Sequence, residues 1–414
     1  MTSPTLGPAP TFVTIDDIRA AAARLAGRIA VTPAVAAPRL SDEAGCSVFL
    51  KLENQQATGS FKERGALNTL LMLPEDGRRA GVIAMSAGNH AQAVACHATR
   101  LGIRSTIVMP AFTPFTKVER TEALGARVVL HGETLSDAQS FAAALAQEEG
   151  LAFVHPYDDP LIVAGQGTAA LEFLETVPDL DILVVPIGGG GLMAGMAAAA
   201  RALTPRLTIL GVQCALYPSM KQALAGETVT CGGVTLAEGI AVKAPGTLTR
   251  AMIAALVDEV MLVDEPALEG AVYRLATVQK LVAEGAGAAA LAAVLSNRDR
   301  FAGKRVGLVV SGGNIDARLL SQVLVRGLVQ EGRIIRLRIG LNDMPGALAR
   351  ITRILGDGGA NIVEIHHQRL FHDVPVKMAE IDVIVETRGH AHAHTLIERL
   401  QAADFPTELM SEVS

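Results

Sequence analysis

From residue 12 to about 330, short apolar runs alternate with stretches of helical periodicity. The runs Val48–Leu52, Val82–Met85, Ser105–Met109, Arg127–Leu130, Ile182–Pro186, Leu207–Val212, Val260–Val263 and Val306–Val310 predict strands. Between most of them lie Ala/Leu-rich stretches of helical length, among them Asn89–Leu101, Leu135–Gln147 and Leu192–Leu203. This βαβα order predicts an α/β fold, with mostly parallel sheets covered by helices on both faces. About 320 residues is large for one sheet, so two lobes with a cleft between them are expected.

The pattern changes after Gly327. Arg333–Leu341 alternates as a strand, and the turn Asn342–Gly346 leads into a helix with Pro345 in its first turn. Leu348, Ile351, Ile354 and Leu355 form its apolar face, and Gly358-Gly359 ends it. Asn361–Leu370 and Val376–Glu386 read as a hairpin, His394–Ala403 as a second helix and Thr407–Glu412 as a last strand. The order βαββαβ predicts a separate α+β domain at 331–414, after the main domain at 1–330, with Val323–Glu331 as the connection.

Composition narrows the function. Half the chain is hydrophobic, but with Phe 11, Tyr 3 and no Trp the apolar mass is aliphatic. The net charge is −6 and there is no basic stripe, which argues against nucleic-acid binding. Cys46, Cys96, Cys214 and Cys231 are scattered, without the spacing of a structural zinc site or a disulfide framework. No apolar run approaches the length of a membrane span, and the first eleven residues lack the features of a secretion signal. A cytoplasmic protein is expected.

Four short segments carry chemistry. Thr58–Ala66 places Lys62 in a small-residue loop at the mouth of a helix, where the dipole and desolvation lower an amine's pKa. Such an amine can form a Schiff base and take up a proton. Ser86-Ala87-Gly88-Asn89-His90 opens a helix after a strand, with backbone N–H groups suited to a carboxylate or phosphate and an Asn89 amide suited to a phenolate-like oxygen. Gly188-Gly189-Gly190-Gly191-Leu192 occupies the same strand–helix position and bares consecutive N–H groups for a phosphate. Ser311-Gly312-Gly313-Asn314 ends a strand with a hydroxyl that can meet a ring nitrogen. Together they supply what pyridoxal phosphate needs, all at carboxyl ends of predicted strands. The stretch Gly189–Ala194 also fits the dinucleotide pattern GxGxxA. That pattern requires an acid about 20 residues on, where this chain has Gly211, Val212 and Gln213.

These segments, with Gly165-Gln166-Gly167-Thr168, make residues 12–325 resemble the serine/threonine dehydratases, pyridoxal-phosphate enzymes of the tryptophan synthase β-like group. Residues 333–412 resemble an ACT domain through Asp343–Leu348. The likeness is to the shorter threonine ammonia-lyases with one such domain. It implies two lobes, the smaller (about 50–155) inserted in the larger. It implies that Lys62 holds the cofactor covalently beside Phe61, that Asn89 bonds its ring oxygen, that Gly188 to Leu192 hold its phosphate and that Ser311 bonds its ring nitrogen. Ser86, Ala87, Gly88, Asn89 and His90 are then the substrate-carboxylate site, and Tyr157 lies near the cofactor. It further implies a homo-oligomer and an amino-acid effector at the ACT-like domain.

On that resemblance L-threonine leads as substrate and L-serine follows, with 3-hydroxyaspartate a further candidate. A neutral Ser311 hydroxyl does not hold a pyridine nitrogen protonated, which favours elimination over transamination. Related serine racemases carry a serine where this chain has Ala87, which has no proton to give, so racemisation ranks low. Glu238 is a weak candidate cation ligand. His390, His392 and His394, with His366, His367 and His372, are read as surface residues before metal ligands. A non-catalytic amino-acid sensor is the rival of another class, and the intact Lys62, glycine turn and Ser311 argue against it.

Overall fold

The computed structural model describes residues 12–368 and 378–410. The chain divides into two compact units at Ile315/Asp316. The described residues of the first form ten strands: β1 (Ala34–Ala36), β2 (Ser47–Leu52), β3 (Val82–Met85), β4 (Ser105–Met109), β5 (Arg127–Leu130), β6 (Ala152–Phe153), β7 (Ile182–Pro186), β8 (Thr208–Cys214), β9 (Glu259–Val263) and β10 (Arg305–Val310). They build two sheets. The larger has the order β1-β2-β10-β7-β8-β9 and is parallel except at the β1–β2 edge. The smaller, β5-β4-β3-β6, is entirely parallel and is inserted between β2 and β7.

Burial on both faces explains the unbroken apolar runs. Every residue of β4 and of β7 is buried, as central parallel strands under helices require. Each aliphatic side chain so buried contributes about 1.5–3 kcal/mol. Helix Pro160–Thr176 crosses helix Lys62–Met72 at very short range. A Cβ at Gly165 would lie 2.7 Å from the Arg64 carbonyl oxygen and from the Gly65 Cα. The Gly165-Gln166-Gly167 segment therefore sets how close the helix that begins at Lys62 comes to the large-lobe core.

The second unit starts with helix Ala317–Gln330, whose N-cap Asp316 accepts from the N–H groups of Arg318 and Leu319. The expected connection Val323–Glu331 is thus mostly helical. Gly327 does not break the helix because it lies on the buried side with Val323. Strands β11 (Ile334–Asn342), β12 (Asn361–Gln368), β13 (Met378–Glu386) and β14 (Thr407–Leu409) follow in an antiparallel sheet of order β12-β13-β11-β14. Helices Ala347–Asp357 and His390–Ala402 pack on the sheet through Ile351, Leu355, Leu396 and Leu400. The second of these helices begins at His390 rather than His394, because Gly389 lets the chain turn directly into it. The expected hairpin tip and His372 lie outside the described residues.

Candidate active site

Three stitches bring the candidate segments together. The first ties the Lys62 loop to the turn after β10: Phe61 N donates to Ser311 O at 3.1 Å, Gly313 N to Gly59 O at 2.9 Å, and Ser60 bridges Gly312. The second runs from Lys62 to the glycine turn. Lys62 Nζ donates to the Pro156 carbonyl at 2.6 Å, and the next residue, Tyr157, lies against Gly189 and Gly191. The third joins Asn89 to both sides: its Nδ2 donates to Glu284 Oε1 at 2.7 Å, and its Oδ1 accepts from Asn314 Nδ2 at 2.7 Å.

Lys62 is the first residue of helix Lys62–Met72. Burial lowers its pKa to about 8, with the Glu284 carboxylate pulling the other way. Its ammonium sits 5.2 Å from the Phe61 ring centroid, a cation–π distance. Two residues on, Arg64 is fully buried and holds Glu53 and Glu172 in paired contacts of 2.6–2.7 Å. Lys51 joins the same cluster through Glu172. This network fixes the start of the helix that carries the lysine.

The glycine turn fits a phosphate on two counts. Gly190 adopts φ +99°, and a Cβ at Gly189 would fall 2.2 Å from the Tyr157 ring, so side chains are excluded. Among the described residues, none of the N–H groups from Gly188 to Leu192 donates to a protein acceptor, although the Gly189 carbonyl accepts from Gly246 N and Thr249 Oγ1. Five successive unpaired donors opening helix Gly191–Leu203 form an anion cradle. Ser311 is buried, and among the described residues its hydroxyl makes only a long 3.4 Å contact to Ala286 O, so it can serve a ring nitrogen. The residues therefore fit pyridoxal phosphate: an amine for its aldehyde, a cradle for its phosphate, an amide and a hydroxyl for its ring.

The Ser86–His90 turn opens helix Asn89–Arg100 at the end of β3, with Gly88 as an N-cap that offers no side-chain bond. Gly88 N donates to Ser86 Oγ, and Ala87 packs against the small-lobe core. The His90 side chain turns away from this opening, its Nε2 donating to the Val154 carbonyl at 3.0 Å, and burial pushes its pKa down to about 3. Only the backbone of His90 is placed to meet a carboxylate.

Glu238 pairs with Lys117 of the inserted lobe at 2.6 Å. Among the described residues no group of three or more His, Cys, Asp or Glu is placed to hold a metal. His390 and His392 bond the carbonyls of Gln330 and Gly358. The four cysteines are free thiols, and no described helix is long and apolar enough to cross a membrane.

Glu284 and Asn314 did not stand out as functional from sequence. Asn314 was visible only as the end of a glycine-rich turn. Glu284 is a lone acid in the otherwise small and apolar stretch Ala283–Ala290, and that isolation was the available signal. Burial raises its pKa to about 7, while the bond from Asn89 opposes the rise.

Comparison with known proteins gives the family. Residues 25–312 match the family model described as pyridoxal-phosphate dependent enzyme, and residues 335–405 match the ACT domain. An L-threonine ammonia-lyase of Thermotoga maritima is 42% identical over 95% of this chain and 98% of its own. Among solved structures, maize serine racemase superposes with a TM-score of 0.72 at 34% identity, covering 78% of this chain and 100% of that one. The processed form of threonine deaminase isoform 2 from Solanum lycopersicum gives 0.70 at 33% identity, covering 78% and 93%. The chain belongs to the pyridoxal-phosphate dependent enzymes and carries an ACT domain C-terminal to the catalytic domain in sequence.

Proposed function

We propose that this protein is a threonine ammonia-lyase that converts L-threonine to 2-oxobutanoate and ammonia, and that it also acts on L-serine. One observation carries the reading: a buried lysine with its pKa lowered to about 8 is stitched, through Pro156-Tyr157, to a turn of unpaired N–H groups. The bound cofactor supplies an aldehyde for the substrate amine and an electron sink for charge at Cα. The chain does the rest. Gly188 to Leu192 hold the phosphate, Asn89 meets the ring oxygen, and Ser311 meets the ring nitrogen. N–H groups of the Ser86–His90 turn take the substrate carboxylate. Lys62 Nζ, once neutral, takes the proton from Cα as general base. The β-hydroxyl leaves as water with the proton that Lys62 took from Cα, which returns Lys62 to its neutral form, and the released enamine hydrolyses to keto acid and ammonia.

Racemisation is the second reading, favoured by the likeness to maize serine racemase. It needs a proton donor on the opposite face, and Ala87 offers none. We assign catalysis to residues 1–330 and amino-acid control to 331–414, with allosteric regulation of threonine use toward isoleucine synthesis or catabolism, in a cytoplasmic homo-oligomer. Chiral analysis of products from L-threonine and L-serine tests the choice. 2-Oxobutanoate and pyruvate without D-serine support the lyase, whereas D-serine in excess of pyruvate contradicts it.

A further inference from the structure

The Asn89 amide is gripped at both ends. Asn314 Nδ2 donates to the Thr58 carbonyl at 2.7 Å, and a carbonyl can only accept, so the orientation of the Asn314 amide is fixed by chemistry. The same Nδ2 gives its other proton to Asn89 Oδ1 at 2.7 Å. Asn89 must then turn its Nδ2 toward Glu284 Oε1, also at 2.7 Å. An amide nitrogen carries two protons, and Glu284 uses one.

The Glu284 carboxyl has little freedom to release that grip. Its backbone N–H donates to Gly312 O at 3.1 Å. A Cβ built on Gly312 would lie 2.5 Å from Glu284 Oε1, and one on Gly239 would lie 3.3 Å from it. Two bare backbones thus pen the carboxyl in. The three residues come from separate parts of the fold: the inserted lobe, the mouth of helix Gly285–Ser296 and the turn after β10. Burial of Glu284, which pushes its pKa to about 7, keeps its bond to Asn89 out of competition with water.

We propose that Glu284 and Asn314 are positioning residues that lock the Asn89 amide with one N–H left over for the ring oxygen of the cofactor. The proposal rests on the assignment of Asn89 to that oxygen. Neither residue needs to touch the substrate. Their effect on the ring-oxygen contact passes through Asn89; above about pH 8, where Lys62 is already neutral and the Glu284 charge no longer sets its state, removing Asn89 makes Glu284 irrelevant to cofactor binding.

The test uses the full chain, stripped of cofactor and titrated with pyridoxal phosphate, reading the Kd and the absorption maximum of the bound form. Glu284→Ala and Asn314→Ala should each weaken binding roughly tenfold and shift the band in the same direction as Asn89→Ala. Glu284→Gln keeps an acceptor at nearly the same place and should stay within about threefold of the parent. It also serves as the variant that folds should the alanine change fail to. In the Asn89→Ala background, Glu284→Ala should add nothing, as a double-mutant cycle reads. Additive losses, or a Gln variant as impaired as the Ala variant, would overturn the positioning role. Asn89→Ala leaving both Kd and band unchanged would instead sink the Asn89 assignment, and the proposal with it.

Discussion

Lys62 Nζ donates to the carbonyl oxygen of Pro156 at 2.6 Å, across 94 residues of sequence. The bond holds the amine beside the glycine turn, while burial lowers its pKa from 10.5 to about 8. A depressed lysine pKa means that the unreactive ammonium predominates below about 8 and the free amine above it. Covalent attachment of pyridoxal phosphate to the stripped protein should therefore accelerate through about pH 8 and level off above. The Glu284 carboxylate favours the ammonium, so Glu284→Gln should move this midpoint lower. Stopped-flow absorbance across about pH 6–11 reads both; a midpoint near 10.5 would contradict the role given to burial.

The Tyr157 ring fills the space that a side chain at Gly189 would need, with only 2.2 Å to a Cβ built there. Gly189→Ala should cost about 1–3 kcal/mol of stability through overpacking and weaken cofactor binding. Tyr157→Ala in the same chain makes room, so the double variant should recover part of both losses. Thermal melts and pyridoxal phosphate titrations of the four proteins give the coupling, and strict additivity would count against the contact.

Arg64 lies between two carboxylates with no exposure of its own side chain. Arg64→Met removes the cation and leaves Glu53 and Glu172 facing each other beside Lys51, so a loss of about 3–5 kcal/mol in unfolding free energy is expected. Denaturant unfolding measures it. A loss under about 1 kcal/mol would mean that the network is not what anchors the start of the Lys62 helix.

The first compact unit ends at Ile315 and contains every residue assigned to the cofactor. A chain truncated after Gln330, which keeps that unit and the helix that follows it, should retain the cofactor band and threonine turnover but lose any response to added amino acids such as isoleucine. Steady-state assays with and without effector compare it with the full chain. A folded truncation without turnover would contradict the division of labour.

Much of this was legible in the sequence because parallel strands buried on both faces must be apolar throughout. Val82–Met85, Ser105–Met109 and Ile182–Pro186 are strands at their expected limits. The two-residue strand Ala152–Phe153 and the edge strand Ala34–Ala36 went unseen, since neither is long enough to show a period. At the site, the glycine turn and Lys62 announced themselves because phosphate and aldehyde chemistry demand unusual local sequence. Glu284 acquires its meaning only from Asn89, 195 residues away, and the Arg64–Glu53–Glu172 cluster likewise exists only in three dimensions. Nothing local to the Ser86–His90 segment shows that the His90 ring turns inward to the Val154 carbonyl and leaves its backbone at the turn.

The most direct measurement is the absorption spectrum of the purified protein and of Lys62→Ala, followed by assay of 2-oxobutanoate after adding L-threonine. The account predicts a yellow parent with an absorption band lost in the variant, and turnover at least about a thousandfold lower without Lys62. A colourless protein that pyridoxal phosphate cannot restore, or a Lys62→Ala variant that still makes 2-oxobutanoate at the parent rate, would contradict it.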